Sequence, residues 1–197
     1  MRALVVHAHP DPSSYSRALR DAAVRGLERA GHHVDVLDLY AIDFAAAMSR
    51  NERLAYETES PILDPMVAEH AELVRGADAL VFVYPTWMWG LPAVMKGWLE
   101  RVLVTGVAFR LDERSGRVKP GLRHVRRIVG ITTYDVSRLS MRLFHDAGRR
   151  VILRCLRVLS PTLRCRTRWF GLYSMPETSA ADREGFLAEV EQGLASL

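Results

Sequence analysis

The strongest constraint in this sequence is a repeated alternation of short apolar runs with stretches whose apolar residues recur at helical spacing. The runs are Ala3–Ala8 (ALVVHA), His33–Leu39 (HVDVLDL), Asp78–Tyr84 (DALVFVY, closed by Pro85), Arg126–Thr132 (RRIVGIT) and Arg166–Ser174. Between the first two, Ala18, Leu19, Ala22, Ala23, Gly26, Leu27 and Ala30 mark one helix face, with Gly31 as a natural stop. Further helices are expected at Met66–Arg75, at Ala93–Val104 with Pro92 at the first turn, somewhere in Leu139–Leu159, and at Ala180–Leu197. Met48–Pro65 reads as a weakly structured excursion and Phe109–Gly121 as a hairpin-like one. Five strands alternating with five helices imply an α/β chain whose parallel sheet is covered on both faces. Right-handed crossovers leave 2-1-3-4-5 as the simplest strand order, in one domain over residues 1–197.

Such sheets bind ligands outside the carboxyl ends of their strands, where the strand order reverses. Three loops therefore matter, beginning at His7, Tyr84 and Thr132. The first, His7 to Ser16 (HAHPDPSSYS), has neither the glycines of a dinucleotide fingerprint nor a P-loop's Gly-Lys-Ser/Thr. It offers hydroxyls and backbone N–H groups at a helix start, which suit a phosphate. Ser13 or Ser14 can equally serve as a plain helix cap, and His9 as a hydrogen-bonded loop histidine. The second, Tyr84 to Pro92 (YPTWMWGLP), puts Trp87, Met88 and Trp89 after a buried strand, where they line a cleft for a flat heteroaromatic ring or pack an interface. The third, Thr132-Thr133-Tyr134-Asp135, draws its value from falling beside the second; Asp135 can instead cap the next helix.

Composition narrows the function classes. With 49% hydrophobic and 25% charged residues, the chain reads as an ordinary soluble globular protein. Apolar runs such as Ala77–Pro85 are too short to span a bilayer, and no cleavable signal precedes the first strand, so a cytoplasmic location is expected and no membrane partner. Cys155 and Cys165 match no zinc or redox spacing, and no metal is expected. The net charge of +4 is uneven: Arg110 to Arg168 holds 16 Arg and Lys against 4 Asp and Glu. These cations are scattered and carry no interleaved aromatics, which argues against nucleic acid and leaves a solvated surface or one that attracts anionic dinucleotides.

The segment Tyr84–Arg101 (YPTWMWGLPAVMKGWLER) closely resembles the loop and helix of the NAD(P)H:quinone oxidoreductase (DT-diaphorase-like) branch of the flavodoxin-fold family. HAHPDPSSYSRAL resembles that family's phosphate loop, and Asp38-Leu39-Tyr40, Val107-Ala108-Phe109 and Ile131-Thr132-Thr133 follow in order. The resemblance implies a flavodoxin-like three-layer α/β/α fold and a flavin site. His9, Ser13, Ser14, Tyr15 and Ser16 would hold the phosphates, Pro85, Thr86, Trp87, Met88 and Trp89 would border the ring, and Thr132 and Thr133 would close its other edge. It implies two-electron reduction of quinones, or of nitro or azo compounds, by a ping-pong hydride relay from NAD(P)H to a small-molecule acceptor. FAD is the implied cofactor, with FMN the alternative, and a homodimer is expected. A non-catalytic flavin- or nucleotide-binding regulator is the other reading. The chain departs from the family where Tyr134 and Asp135 replace glycines and where an assisting tyrosine falls near Ser140. Tyr134 is a candidate replacement for that hydroxyl, and His145 for the assisting histidine.

Overall fold

The computed structural model describes residues 1–56, 58, 60–112, 117–162 and 165–197. The strands β1 (Arg2–His7), β2 (His33–Asp38), β3 (Ala79–Pro85), β6 (Arg127–Thr133) and β7 (Arg166–Leu172) form one parallel sheet in the spatial order β2-β1-β3-β6-β7. Counted within that sheet alone, the order is the expected 2-1-3-4-5. The two intervening strands, β4 (Phe109–Leu111) and β5 (Val118–Pro120), make a small antiparallel pair that stands apart from it. The expected excursion is thus a short hairpin whose tip, 113–116, lies outside the described residues.

Side-chain alternation sends the central strands' residues into two cores. Ala3, Val5, Val81, Val83 and Ile131 pack under α1 (Tyr15–Arg29) and α8 (Ala180–Ala195), with Leu19, Leu27, Phe186 and Val190. Leu4, Val6, Leu80, Phe82 and Ile128 point to the other face, under α3 (Pro65–Gly76) and α4 (Ala93–Val102). On the first face the helices nearly touch: a Cβ added at Gly26 would sit 2.3 Å from the Glu191 carbonyl oxygen. Glu191 also pairs with Arg25 and Arg29, fastening α8 to α1.

One expectation needs correction, and the helix expected somewhere in Leu139–Leu159 is found in several pieces. The stretch 48–65 contains a helix, α2 (Arg50–Ala55), closed by a capping box in which Ser49 and Glu52 satisfy each other's backbone N–H groups. The Leu139–Leu159 region is not one helix. It comprises α5 (Arg138–Leu143), α6 (Ala147–Arg150), a wide helical turn at Val151–Cys155 and α7 (Leu156–Leu159). The break falls at His145 and Asp146, with φ of 62° and 34°, and Asp146 then caps α6 through the Arg149 N–H at 3.0 Å. Pro92 stands just before α4 as its cap residue, so the helix starts one residue beyond it. Among the described residues, no helix is long and apolar enough to cross a membrane. Cys155 is exposed, Cys165 is buried, and both are free thiols.

Two buried histidines make the fold sensitive to acid. His7 lies under the first loop and His70 accepts the Trp98 indole N–H at 3.3 Å; burial lowers both pKa values, with Asp38 partly opposing this at His7. In the unfolded chain these rings protonate from about pH 6.5 downward. Below that pH the unfolded state binds protons that the native state refuses, so stability falls as pH falls. Urea midpoints measured from pH 7.5 to pH 5 are expected to drop steadily, and His70→Gln is expected to flatten the slope.

Candidate functional site

β1, β3 and β6 end side by side, and their following loops meet. His9 lies with its ring centroid 5.8 Å from that of Trp87, joining the first loop to the second. The Thr86 N–H donates to the Thr133 carbonyl at 2.9 Å, and the Thr86 and Thr132 hydroxyls lie 3.0 Å apart, joining the second to the third. Adjacent parallel strands in register produce this: Tyr84 and Pro85 pair with Thr132 and Thr133.

Within the first loop the turn organises itself. His9 Nδ1 lies 3.0 Å from the Asp11 N–H and 3.2 Å from the Asp11 carbonyl, so the ring is held by the backbone of its own turn. Asp11 accepts from the Ser13 hydroxyl at 2.7 Å and the Ser13 N–H at 2.8 Å, and these bonds hold its pKa below the usual carboxylate range. Ser14 caps α1 by accepting the Arg17 N–H at 3.2 Å, the alternative left open for it by the sequence. The side chains of Tyr15 and Ser16 turn away from the loop. Tyr15 donates to the Arg183 carbonyl at 2.8 Å, and burial pushes its pKa up to about 12. Ser16 is buried with its hydroxyl 3.3 Å from His7 Nε2. What remains toward solvent is the head of α1, where the first N–H groups have no intrahelical acceptor, together with Ser13, Ser14 and His9.

The second loop is a tight two-residue reversal. Trp87 and Gly90 exchange backbone hydrogen bonds at 3.2 and 2.9 Å, and the residues between them, Met88 and Trp89, both have positive φ, 47° and 58°. Asn-Gly is the usual solution for such a turn, so a Met-Trp pair stores strain there. Met88 is 88% exposed, and Trp87 and Trp89 are 39% and 42% exposed. Among the described residues the N–H groups of Met88 and Trp89 make no hydrogen bond.

Behind the turn is a cavity of about 260 Å³ lined by Thr86, Met88, Trp89, Tyr134, Asp135, Val136 and Met141. Thr132 and Thr133 are buried beneath it. Tyr134 is held from three sides: its ring stacks on Tyr173 with centroids 4.4 Å apart, the bare Gly171 leaves room for it, and its O–H donates to Asp146 at 2.6 Å. Burial first, and then the Asp146 bond, raise its pKa. The O–H that is the candidate replacement hydroxyl is therefore engaged by Asp146. His145 is exposed and faces a separate, larger cleft that shares Met141 with this cavity. Asp135 is exposed and caps nothing, since Ser137 caps α5. Asp146, the neighbour of His145 in the sequence, takes part here by accepting the Tyr134 O–H and the Arg149 N–H.

The sequence pattern of the flavodoxin-like fold family covers residues 1–150. The chain belongs to that family. Within this flavodoxin-like protein, 55% of the chain aligns with 45% of rat NAD(P)H dehydrogenase [quinone] 1, at 37% identity over 123 residues. It is 33% identical over 123 residues to human ribosyldihydronicotinamide dehydrogenase [quinone], covering 53% of that protein. The chain thus spans about half the length of the curated relatives it matches. Among solved structures, NAD(P)H:quinone oxidoreductase from Methanothermobacter marburgensis superposes with a TM-score of 0.82 at 27% identity, over 100% of this chain and 96% of that one.

Proposed function

We propose that this flavodoxin-like protein is a flavin-dependent NAD(P)H oxidoreductase that reduces quinones or similar flat acceptors, working as one domain over residues 1–197. The observation that carries the reading is the strained Met88–Trp89 turn. It holds two free N–H donors and exposed aromatic faces over a cavity at the ends of β3 and β6. Strain of this kind persists where the surroundings enforce it, commonly at ligand sites. Similarity to quinone oxidoreductases supports the same conclusion.

The residues present fit a flavin. The head of α1, with the Ser14 hydroxyl and the His9 ring, supplies donors for a phosphate, and Asp11 holds Ser13 in the same turn. The N–H groups of Met88 and Trp89 suit the acceptor-bearing edge of a planar ring, while Trp87 and Trp89 provide stacking faces. Tyr15, Ser16, Thr132 and Thr133 act from beneath, bracing the loops that bear these groups. The flavin, when bound, supplies the hydride chemistry. FAD is our reading, with FMN as the alternative, and the acceptor enters after NAD(P)⁺ leaves, in ping-pong order. Exposed Leu139, Leu143 and Phe144 flank the site, with Phe144 packed 5.3 Å from Trp89, and a homodimer would cover them.

The test is an absorption spectrum of the purified protein, chromatography of the released flavin, and turnover with NADH or NADPH and a short-chain quinone. A yellow protein with parallel-line kinetics is expected. A colourless protein that takes up neither FAD nor FMN sinks the reading, and flavin uptake without turnover makes the chain a binding protein instead. Tyr134→Phe is expected to lower turnover less than threefold, because its hydroxyl is engaged by Asp146; a loss of a hundredfold would assign that hydroxyl to the transfer itself.

A further inference from the structure

Beside the cavity over the strand ends lies a larger cleft of about 660 Å³, between α5 and the wide helical turn. Five guanidinium groups line it, those of Arg138, Arg142, Arg149, Arg150 and Arg154, against the single carboxylate of Asp146. That carboxylate is already used, accepting the Tyr134 O–H and the Arg149 N–H.

What sets the cleft apart is the gathering of five arginines in one concavity with so little acid. Several arginines elsewhere find carboxylates, such as Arg2 with Asp35, Arg20 with Asp21 and Asp38, Arg25 and Arg29 with Glu191, Arg75 with Glu72, and Arg101 with Glu52 and Asp64, while others such as Arg157, Arg168 and Arg183 bond to carbonyls or hydroxyls. Among the described residues none of the five cleft arginines makes an ion pair. Like charges gathered in one concavity repel, and the repulsion is relieved only by solvent ions or an anionic ligand. One of them is also pre-set: Arg149 lies 5.7 Å over the Trp169 ring, which restricts its fork. The wide turn at Val151–Cys155 begins just after Arg150 and contains Arg154, a helix irregularity of a kind frequent at functional sites.

The cleft adjoins the proposed ring cavity through the shared wall residue Met141. A ligand whose planar end enters that cavity has the five arginines of the neighbouring cleft close to its remainder. We propose that the cleft takes the phosphate-bearing end of NADPH, its 2′-phosphate above all, and so makes this chain prefer NADPH to NADH. The proposal rests on the reading of the chain as an NAD(P)H oxidoreductase. A phosphate monoester carries close to two charges near neutral pH and presents oxygens that match the guanidinium fork. NADH lacks that group and gains little from the cleft.

The test uses Arg150→Gln/Arg154→Gln, two exposed helical positions where glutamine retains a similar helix propensity. By calorimetry, the unsubstituted protein is expected to bind 2′,5′-ADP at least tenfold more tightly than 5′-AMP, and the double variant is expected to lose that difference. With the flavin-loaded protein, KM for NADPH is expected to rise tenfold or more in the variant, while KM for NADH moves less than twofold. Equal binding of the two nucleotides by the unsubstituted protein overturns the proposal, as does a preference that the variant keeps. Displacement of 2′,5′-ADP by a random-sequence oligonucleotide at about 0.15 M salt, where exposed charges are screened beyond roughly 8 Å, overturns it in favour of a polyanion surface. NADH turnover in the unsubstituted protein separates the two claims. Turnover without 2′-phosphate selectivity leaves the oxidoreductase standing and removes this site's role. Selectivity without any turnover sinks the oxidoreductase and, with it, the use of the cleft for a co-substrate.

Discussion

Arg101→Ala is expected to cost about 3 kcal/mol of stability, from the penalty of breaking a buried charge cluster by removing one member. Arg101 is 6% exposed and gathers three acceptors into one fork. Its Nε donates to Glu52 at 2.8 Å, Nη1 to the Ala45 carbonyl at 2.6 Å, and Nη2 to Asp64 at 2.8 Å, while the guanidinium covers the Phe44 ring at 5.2 Å. The lower end of the usual range applies because Asp64, at 36% side-chain exposure, keeps water when the arginine is gone. Lysine will not rescue the loss, since a single ammonium cannot span three acceptors in a plane. One turn earlier on α4, a Cβ at Gly97 would fall 2.1 Å from the Ala46 carbonyl oxygen, so the same stretch of backbone is seated twice. Urea unfolding measures the free energy, and hydrogen exchange should show the added opening concentrated in residues 44–64. A loss below about 1 kcal/mol, with exchange unchanged there, would show that the cluster holds nothing.

Replacing Met88-Trp89 by Asn-Gly is expected to change stability and binding in opposite directions. Asparagine and glycine adopt positive φ at little cost, so relief of strain at two positions is worth about 1–3 kcal/mol each. Loss of the Trp89 contact with Phe144 offsets part of this. A net gain of about 1 kcal/mol, or roughly 2–4 °C in Tm, follows for a chain of this size. Flavin affinity, read by fluorescence titration, should fall at least tenfold because the stacking face is gone, even though the backbone N–H groups stay in place. A variant that binds flavin as well as the parent would move the ring site away from this turn. A variant that is less stable would mean the turn is not strained.

Much of the fold is legible because burial on both sheet faces forces near-continuous apolar runs, as in Leu80–Tyr84, and these survive in the sequence without interpretation. The convergence of three loops follows from strand order alone, and the contacts of His9 with Trp87 and of Thr86 with Thr132 realise it. Side-chain direction is harder to read. Tyr15 and Ser16 sit among loop hydroxyls in sequence, yet helix geometry turns them toward Arg183 and His7. Tyr134 could be placed near the site but not aimed, because its partner Asp146 depends on a helix break with no glycine to announce it. The Ser49–Glu52 box of α2 was available in the residue spacing and was obscured by the polar character around it. The arginine cleft is the reverse case: an excess of cations is plain in the composition, while their gathering into one concavity comes only from the folded chain.

The clasp between α1 and α8 bears on how this protein comes to exist in a cell. Arg25 and Glu191 are 166 residues apart, and the Gly26 crossing leaves no space for a substitute to stand in. During vectorial synthesis α1 emerges early with Leu19, Ala22, Ala23 and Leu27 facing nothing on its outer flank until α8 arrives. The core around α3 and α4 is complete once residues up to Cys165 have emerged, while the other waits further for Phe186, Val190 and Leu194, so the interval before α8 docks leaves one sheet face exposed to chaperones and to aggregation.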